Sequence, residues 1–92
     1  MTDEQQQGLV FRIMDQGGPT DDREPYVAEA AAEIARSKAL CRQLNSADPA
    51  DPACLRILEE LFRCKLEDAT ILTPFYCDMG IRVRIGRKVF IN

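Results

Sequence analysis

Histidine is absent from all 92 residues. The four cysteines, at 41, 54, 64 and 77, form no Cys-x-x-Cys pair, so the usual zinc-ligand spacings are missing. No apolar run approaches the ~18 residues that cross a bilayer, and no membrane partner is expected. The opening Met1-Thr-Asp-Glu-Gln-Gln-Gln is acidic and polar, unlike a secretory leader. Excess positive charge is also lacking. Fifteen acidic against twelve basic residues leave a net charge of −3, the wrong sign for a nucleic-acid partner. A reduced cytoplasmic setting with four free thiols is the expectation.

What is present describes one small domain, near the size where core burial only just offsets chain entropy. Charge is unevenly placed: residues 81–92 hold Arg82, Arg84, Arg87 and Lys88 and no acidic group, so residues 1–80 sum to −7. Three helices are predicted. The first covers 3–15, with Thr2 as cap, Asp3 and Glu4 in the first turn, and Leu9, Val10, Ile13 and Met14 on one face. Gly17-Gly18-Pro19 ends it. The second runs from Pro25 to Leu44, rich in alanine, with Val27, Ala31, Ile34, Cys41 and Leu44 on one stripe. The third follows Asp51 as cap and Pro52 as first residue, with Leu55, Leu58, Leu61 and Phe62 as its apolar face, and ends near Cys64 or Lys65. All four cysteines read as small core residues, Cys54 and Cys64 on this helix.

The tail then reads in sixes. Met79-Gly80-x-x-Val83-x precedes Ile85-Gly86-x-x-Val89-x, and Ile91-Asn92 opens a third unit. An aliphatic residue, a small one, then a small or β-branched one three places on is the pattern of a left-handed β-helix. Six residues form one flat side of a triangular coil, with the aliphatic side chain inward. Ile81, Val83 and Ile85 share one face of a half-buried strand, with Arg82 and Arg84 on the other. The basic cluster has two readings, an anion site or a solvated outer face. It lacks the aromatic interleaving of a nucleic-acid platform. The expected fold class is α+β: a small N-terminal helical domain of about three helices, residues 1–70, followed by the first coil of a left-handed parallel β-helix, residues 71–92. About one coil is present, and solenoids need roughly three stacked units. The chain is therefore expected to be the beginning of something longer.

The run Thr73-Pro74-Phe75-Tyr76-Cys77-Asp78-Met79-Gly80, then Ile85-Gly86 and Phe90-x-Asn92, resembles the maltose/galactoside O-acetyltransferases. There a Pro-Pro-Phe-x-Cys-Asp-Tyr-Gly segment leads into Ile-Gly and an aromatic-x-Asn. The family's small helical opening matches Leu44-Asn45-Ser46 and Asp51-Pro52 before Leu55, Leu58, Leu61 and Phe62. The resemblance covers most of the chain from about Tyr26 onward.

The resemblance implies transfer of an acetyl group from acetyl-CoA to a sugar hydroxyl. The family's general base is a histidine on a later coil, and its CoA cleft lies between subunits of a trimer. A hydroxyl is a poor nucleophile without a base in contact, so this chain alone is expected to be inactive and to bind no cofactor itself. Asp15, Asp78 and Asn92 match positions of the family's acceptor-sugar pocket, where carboxylates and amides pair with adjacent hydroxyls. Asp15 also reads as a helix-end aspartate, and Asp78 as a turn residue. Asn92 matches by position only. Met79 replaces the family's tyrosine, and Lys88-Val89 its Asn/Asp-aromatic pair. The alternative function is a non-catalytic interaction module that stacks on another β-helix protein. Self-association through residues 71–92 is expected on either reading.

Overall fold

The computed structural model describes residues 7–92. Contacts group the chain into two units, Met1–Ala32 and Glu33–Asn92.

In the first unit, helix α1 spans Leu9–Asp15. The expected start near Asp3 and the Thr2 cap lie outside the described residues. Gly8, with φ 74°, takes the left-handed conformation that glycine adopts without a Cβ clash, and so sets the helix start. Its N–H donates to both carboxylate oxygens of Glu29, at 2.7 and 3.0 Å. Val10 is fully buried, while Leu9, Ile13 and Met14 are half-buried. Beyond the helix, the Gly17 and Gly18 N–H groups return to the Met14 and Ile13 carbonyls, as in a glycine-terminated C-cap. The Tyr26 hydroxyl accepts from the Asp21 N–H at 2.8 Å.

Helix α2, Val27–Ser46, begins in the first unit and continues through the second. Its alanines give it high intrinsic propensity. Pro25 sits in the turn just before it, where Ala28 N–H bonds the Pro25 carbonyl. Ser46 Oγ donates back to the Arg42 carbonyl at 2.8 Å, the i−4 pattern of a helical serine. Helix α3, Ala53–Phe62, starts where the Asp51 carboxylate accepts from the Ala53 N–H at 2.9 Å, the expected capping role. It ends at Arg63, which turns left-handed (φ 50°), ahead of the expected end at Cys64 or Lys65.

The second unit's core is Leu40, Cys41 and Leu44 of α2 against Leu58, Leu61 and Phe62 of α3. Two expectations need correction. The buried line of α2 is Ala30, Glu33, Ser37, Leu40, Cys41 and Leu44, whereas Ala31 is exposed and Ile34 half-buried. Reading apolar residues alone shifted the stripe, because two polar side chains lie on the buried line. On α3, Leu55 is 50% exposed; Cys54 and Ile57 pack against the core instead, and Cys64 is exposed beyond the helix end.

After α3 the chain is mostly irregular. Strand β1, Thr70–Ile71, pairs in parallel with β2, Phe90–Ile91, placing Thr70 opposite Phe90 and Ile71 opposite Ile91. Hydrogen bonds from Thr70 to Val89, Leu72 to Ile91 and Lys88 to Glu67 extend the match. The strand expected over 81–85 is replaced at its start by a short 3-10 turn, Gly80–Arg82. Ile81 is half-buried, and Val83 and Ile85 still face the core.

Candidate functional site

Residues 71–80 alternate with a period of two. Ile71, Thr73, Phe75, Cys77 and Met79 are half-buried, and Leu72, Pro74, Tyr76 and Asp78 are exposed. Extended chain points successive side chains to opposite faces. Its start pairs with β2, and from Phe75 on the segment is held by α2 side chains. The Asn45 amide donates to the Phe75 carbonyl at 3.0 Å and accepts from its N–H at 2.9 Å. The Phe75 ring meets Phe62 edge-on, with centroids 5.9 Å apart.

At the other end, Gly80 N–H donates to Ser37 Oγ at 2.8 Å and Ile81 N–H to Glu33 Oε2 at 2.9 Å. Gly80 is needed for close approach: a Cβ there would fall on the Leu61 carbonyl oxygen and within 2.6 Å of Leu61 Cδ1. Glu33 also accepts from Arg36 (2.8 and 3.0 Å) and from Ser37 Oγ (3.1 Å). Arg36 in turn donates to the Glu60 and Leu61 carbonyls at the end of α3, the first of which also accepts from the Arg63 N–H. Burial works against ionising Glu33, but Arg36, the Ile81 N–H and Ser37 outweigh it and hold the carboxyl below its ordinary 4.5. The bond to Glu33 in turn pushes the Arg36 guanidinium further above its ordinary range. Nothing in the apolar pattern signalled this network; a glutamate and a serine four residues apart on the buried side of a helix are its only trace.

Between these anchors lies a cavity of about 220 Å³ lined by Lys38, Cys41 and Arg42 of α2 and by Tyr76, Cys77 and Asp78. Cys41 is buried and Cys77 half-buried, so the thiols form its floor; the other four side chains are exposed and form its mouth. Burial, then the adjacent Cys41, then Asp78 and Glu33, push the Cys77 thiol up to about 12. Lys38 and Arg42, four residues apart on α2, line the same recess as Asp78.

Of the three sequence-derived site residues, Asp78 lines this cavity. Asn92 is exposed beyond β2 and is not among the lining residues. Asp15 is exposed at the end of α1, in the first unit. The basic tail is dispersed: Arg87 pairs with Glu67 at 2.8 Å, and Arg84 donates to the Ile81 carbonyl at 2.9 Å. Among the described residues, no group of three or more Cys, Asp or Glu side chains could hold a metal ion. No described helix is long and apolar enough to cross a membrane.

The chain is similar to three staphylococcal proteins, each named "Putative acetyltransferase". The protein of Staphylococcus haemolyticus (strain JCSC1435) is 41% identical over 61 residues, which are 65% of this chain and 32% of that protein. Those of Staphylococcus aureus strains MRSA252 and Mu50 are 34% and 33% identical over 61 residues, 65% of this chain and 31% of each. The chain thus spans about a third of the length of the curated relatives it matches. No family model and no solved structure matches it.

Proposed function

We propose that this chain is the acceptor side of a cytoplasmic acetyl-CoA-dependent sugar O-acetyltransferase of the maltose/galactoside type. The carrying observation is the cavity at Asp78. It joins the Cys-Asp-x-Gly motif to two cations and a phenol in one small recess, and similarity to proteins named as acetyltransferases supports the reaction class. Its volume is below the ~300–1,000 Å³ of drug-sized sites, so it suits a single small ring. In this reading the Asp78 carboxylate accepts from sugar hydroxyls, while the Tyr76 hydroxyl, Lys38 and Arg42 donate. The base that takes the hydroxyl proton and the acetyl-CoA site come from outside these residues, because the 92 hold no histidine.

The same reading makes residues 71–92 the first coil of a left-handed β-helix. In-register parallel pairing of Thr70 with Phe90 supports it, because twenty residues are close to the three six-residue sides of one triangular turn. A second reading is a non-catalytic module that stacks on another β-helix protein. It is favoured by the exposure of Phe90, at 64%, on β2.

Two measurements test the proposal. With acetyl-CoA and a panel of sugars, the 92-residue chain should release no CoA thiol above the uncatalysed rate. Sugar-dependent turnover abolished by a mutation in this chain would overturn that part. In an NMR titration with the same sugars, shifts are expected at 76–78 and 38–42 and should vanish in Asp78→Asn. Shifts confined to Arg82–Lys88 would reject the acceptor assignment and leave the stacking module.

A further inference from the structure

Three contacts fix how the segment 75–80 lies on α2. Asn45, Cys41 and Ser37 follow one another at four-residue intervals, so they form one ridge of the helix. Phe75 is bonded to Asn45 and Gly80 to Ser37. The segment therefore runs antiparallel to the helix, with Cys77 facing the middle of the ridge. The spacings agree: four helical residues from Asn45 to Cys41 rise ~6 Å, and two extended residues from Phe75 to Cys77 cover ~6.6 Å. After burial, Cys41 is the strongest influence on the Cys77 thiol. Both also line the same cavity, which gives a small oxidant a way in.

We propose that Cys41 and Cys77 are a redox-modifiable pair that closes into an intramolecular disulfide across the floor of this cavity, with a peroxide as oxidant. The thiolate of Cys77, a small fraction at neutral pH because burial pushes the thiol up to about 12, attacks one peroxide oxygen; the O–O bond breaks and hydroxide leaves, giving a sulfenic acid, and the step quickens as pH rises. The Cys41 sulfur then attacks that sulfur, forming the S–S bond and releasing the oxygen as water. In total, two thiols and one hydrogen peroxide give one disulfide and two waters. The other two cysteines have no such partner in view. Cys54 donates to the Asp48 carbonyl, and Cys64 is exposed beyond α3. The proposal is independent of the acetyltransferase reading, because it uses only the ridge and the two sulfurs.

The test uses the full chain carrying Cys54→Ser and Cys64→Ser, and wild type in parallel. After hydrogen peroxide and unfolding, the remaining thiols are alkylated and the intact mass is read. The expected product has lost two hydrogens and both alkylation sites, is a single chain on a non-reducing gel, and recovers both sites with a thiol reductant. In wild type, peptide mapping should join the peptides of Cys41 and Cys77. Two labels still taken up by the double variant, after a peroxide exposure at pH 9 many times longer than oxidises exposed Cys64 of wild type, would overturn the proposal. So would added oxygen without a cross-link, or wild-type disulfides that use Cys54 or Cys64 in place of this pair.

Discussion

Glu33 holds Arg36, Ser37 and the Ile81 N–H at once. Removing it strands a largely buried guanidinium, and breaking a buried pair costs ~3–5 kcal/mol. Arg36 keeps some access to water, so Glu33→Ala should lower the unfolding free energy by about 2–3 kcal/mol in urea titrations. The pH dependence follows from the lowered folded value. The contribution is complete above pH 4.5 and is lost as pH falls through that folded value. The gap between wild type and Glu33→Gln should therefore narrow below pH 4.5. Gly80→Ala should cost about 1–3 kcal/mol, because its Cβ meets the Leu61 backbone. Gly86→Ala is the control: its nearest neighbour would be Val89 Cγ2 at 3.9 Å, and little change is expected. With its thiol pushed up to about 12, Cys77 should alkylate at pH 8 at least about tenfold more slowly than exposed Cys64. Mass-resolved iodoacetamide labelling checks it.

The segment from Leu72 to Met79 owes its conformation to a helix thirty residues earlier in the chain. Asn45→Ala removes both bonds to Phe75 and leaves two partly buried backbone groups without their partner. Amide exchange at 72–79 should then speed up by about tenfold or more, with the Leu40–Leu44 amides little changed. Unchanged exchange at Phe75 would show that the ring contact with Phe62 holds the segment without the amide. This dependence explains what was legible. Alanine content, Asp51-Pro52 and the Leu58–Leu61–Phe62 spacing are local signals, and all three helices were readable to within a few residues over the described chain. The tail's alternation was readable too. Its interruption by the Gly80–Arg82 turn was not, since that turn is imposed by Ser37, Glu33 and Leu61. At the site, Asp78 carries a motif. Lys38 and Arg42 look like any solvated helix face until the segment is laid beside them.

Over the whole chain, acidic residues dominate up to position 80 and basic ones after it. Leu72 and Phe90 are both exposed, and a short sheet offers unpaired edges. A few hundred Å² of apolar surface at ~25 cal/mol per Å² is worth several kcal/mol. Against an association cost of ~4–15 kcal/mol, only weak self-association follows. Sedimentation at rising concentration should show reversible dimers or larger species. Phe90→Ser should shift them toward monomer, and wild type that stays monomeric throughout would reject the tail as a contact surface.

The Asn45–Cys41–Ser37 ridge also acts as a ruler. An amide, a thiol and a hydroxyl each meet a different partner along the stretch from Phe75 to Gly80, so sliding that stretch by one position mismatches all of them together and turns Tyr76 and Asp78 inward. Inserting or deleting one residue between 75 and 80 is therefore far more disruptive than the same change between Arg63 and Asp68, where most residues are exposed. In this stretch, length is constrained more tightly than the identity of any outward-facing residue.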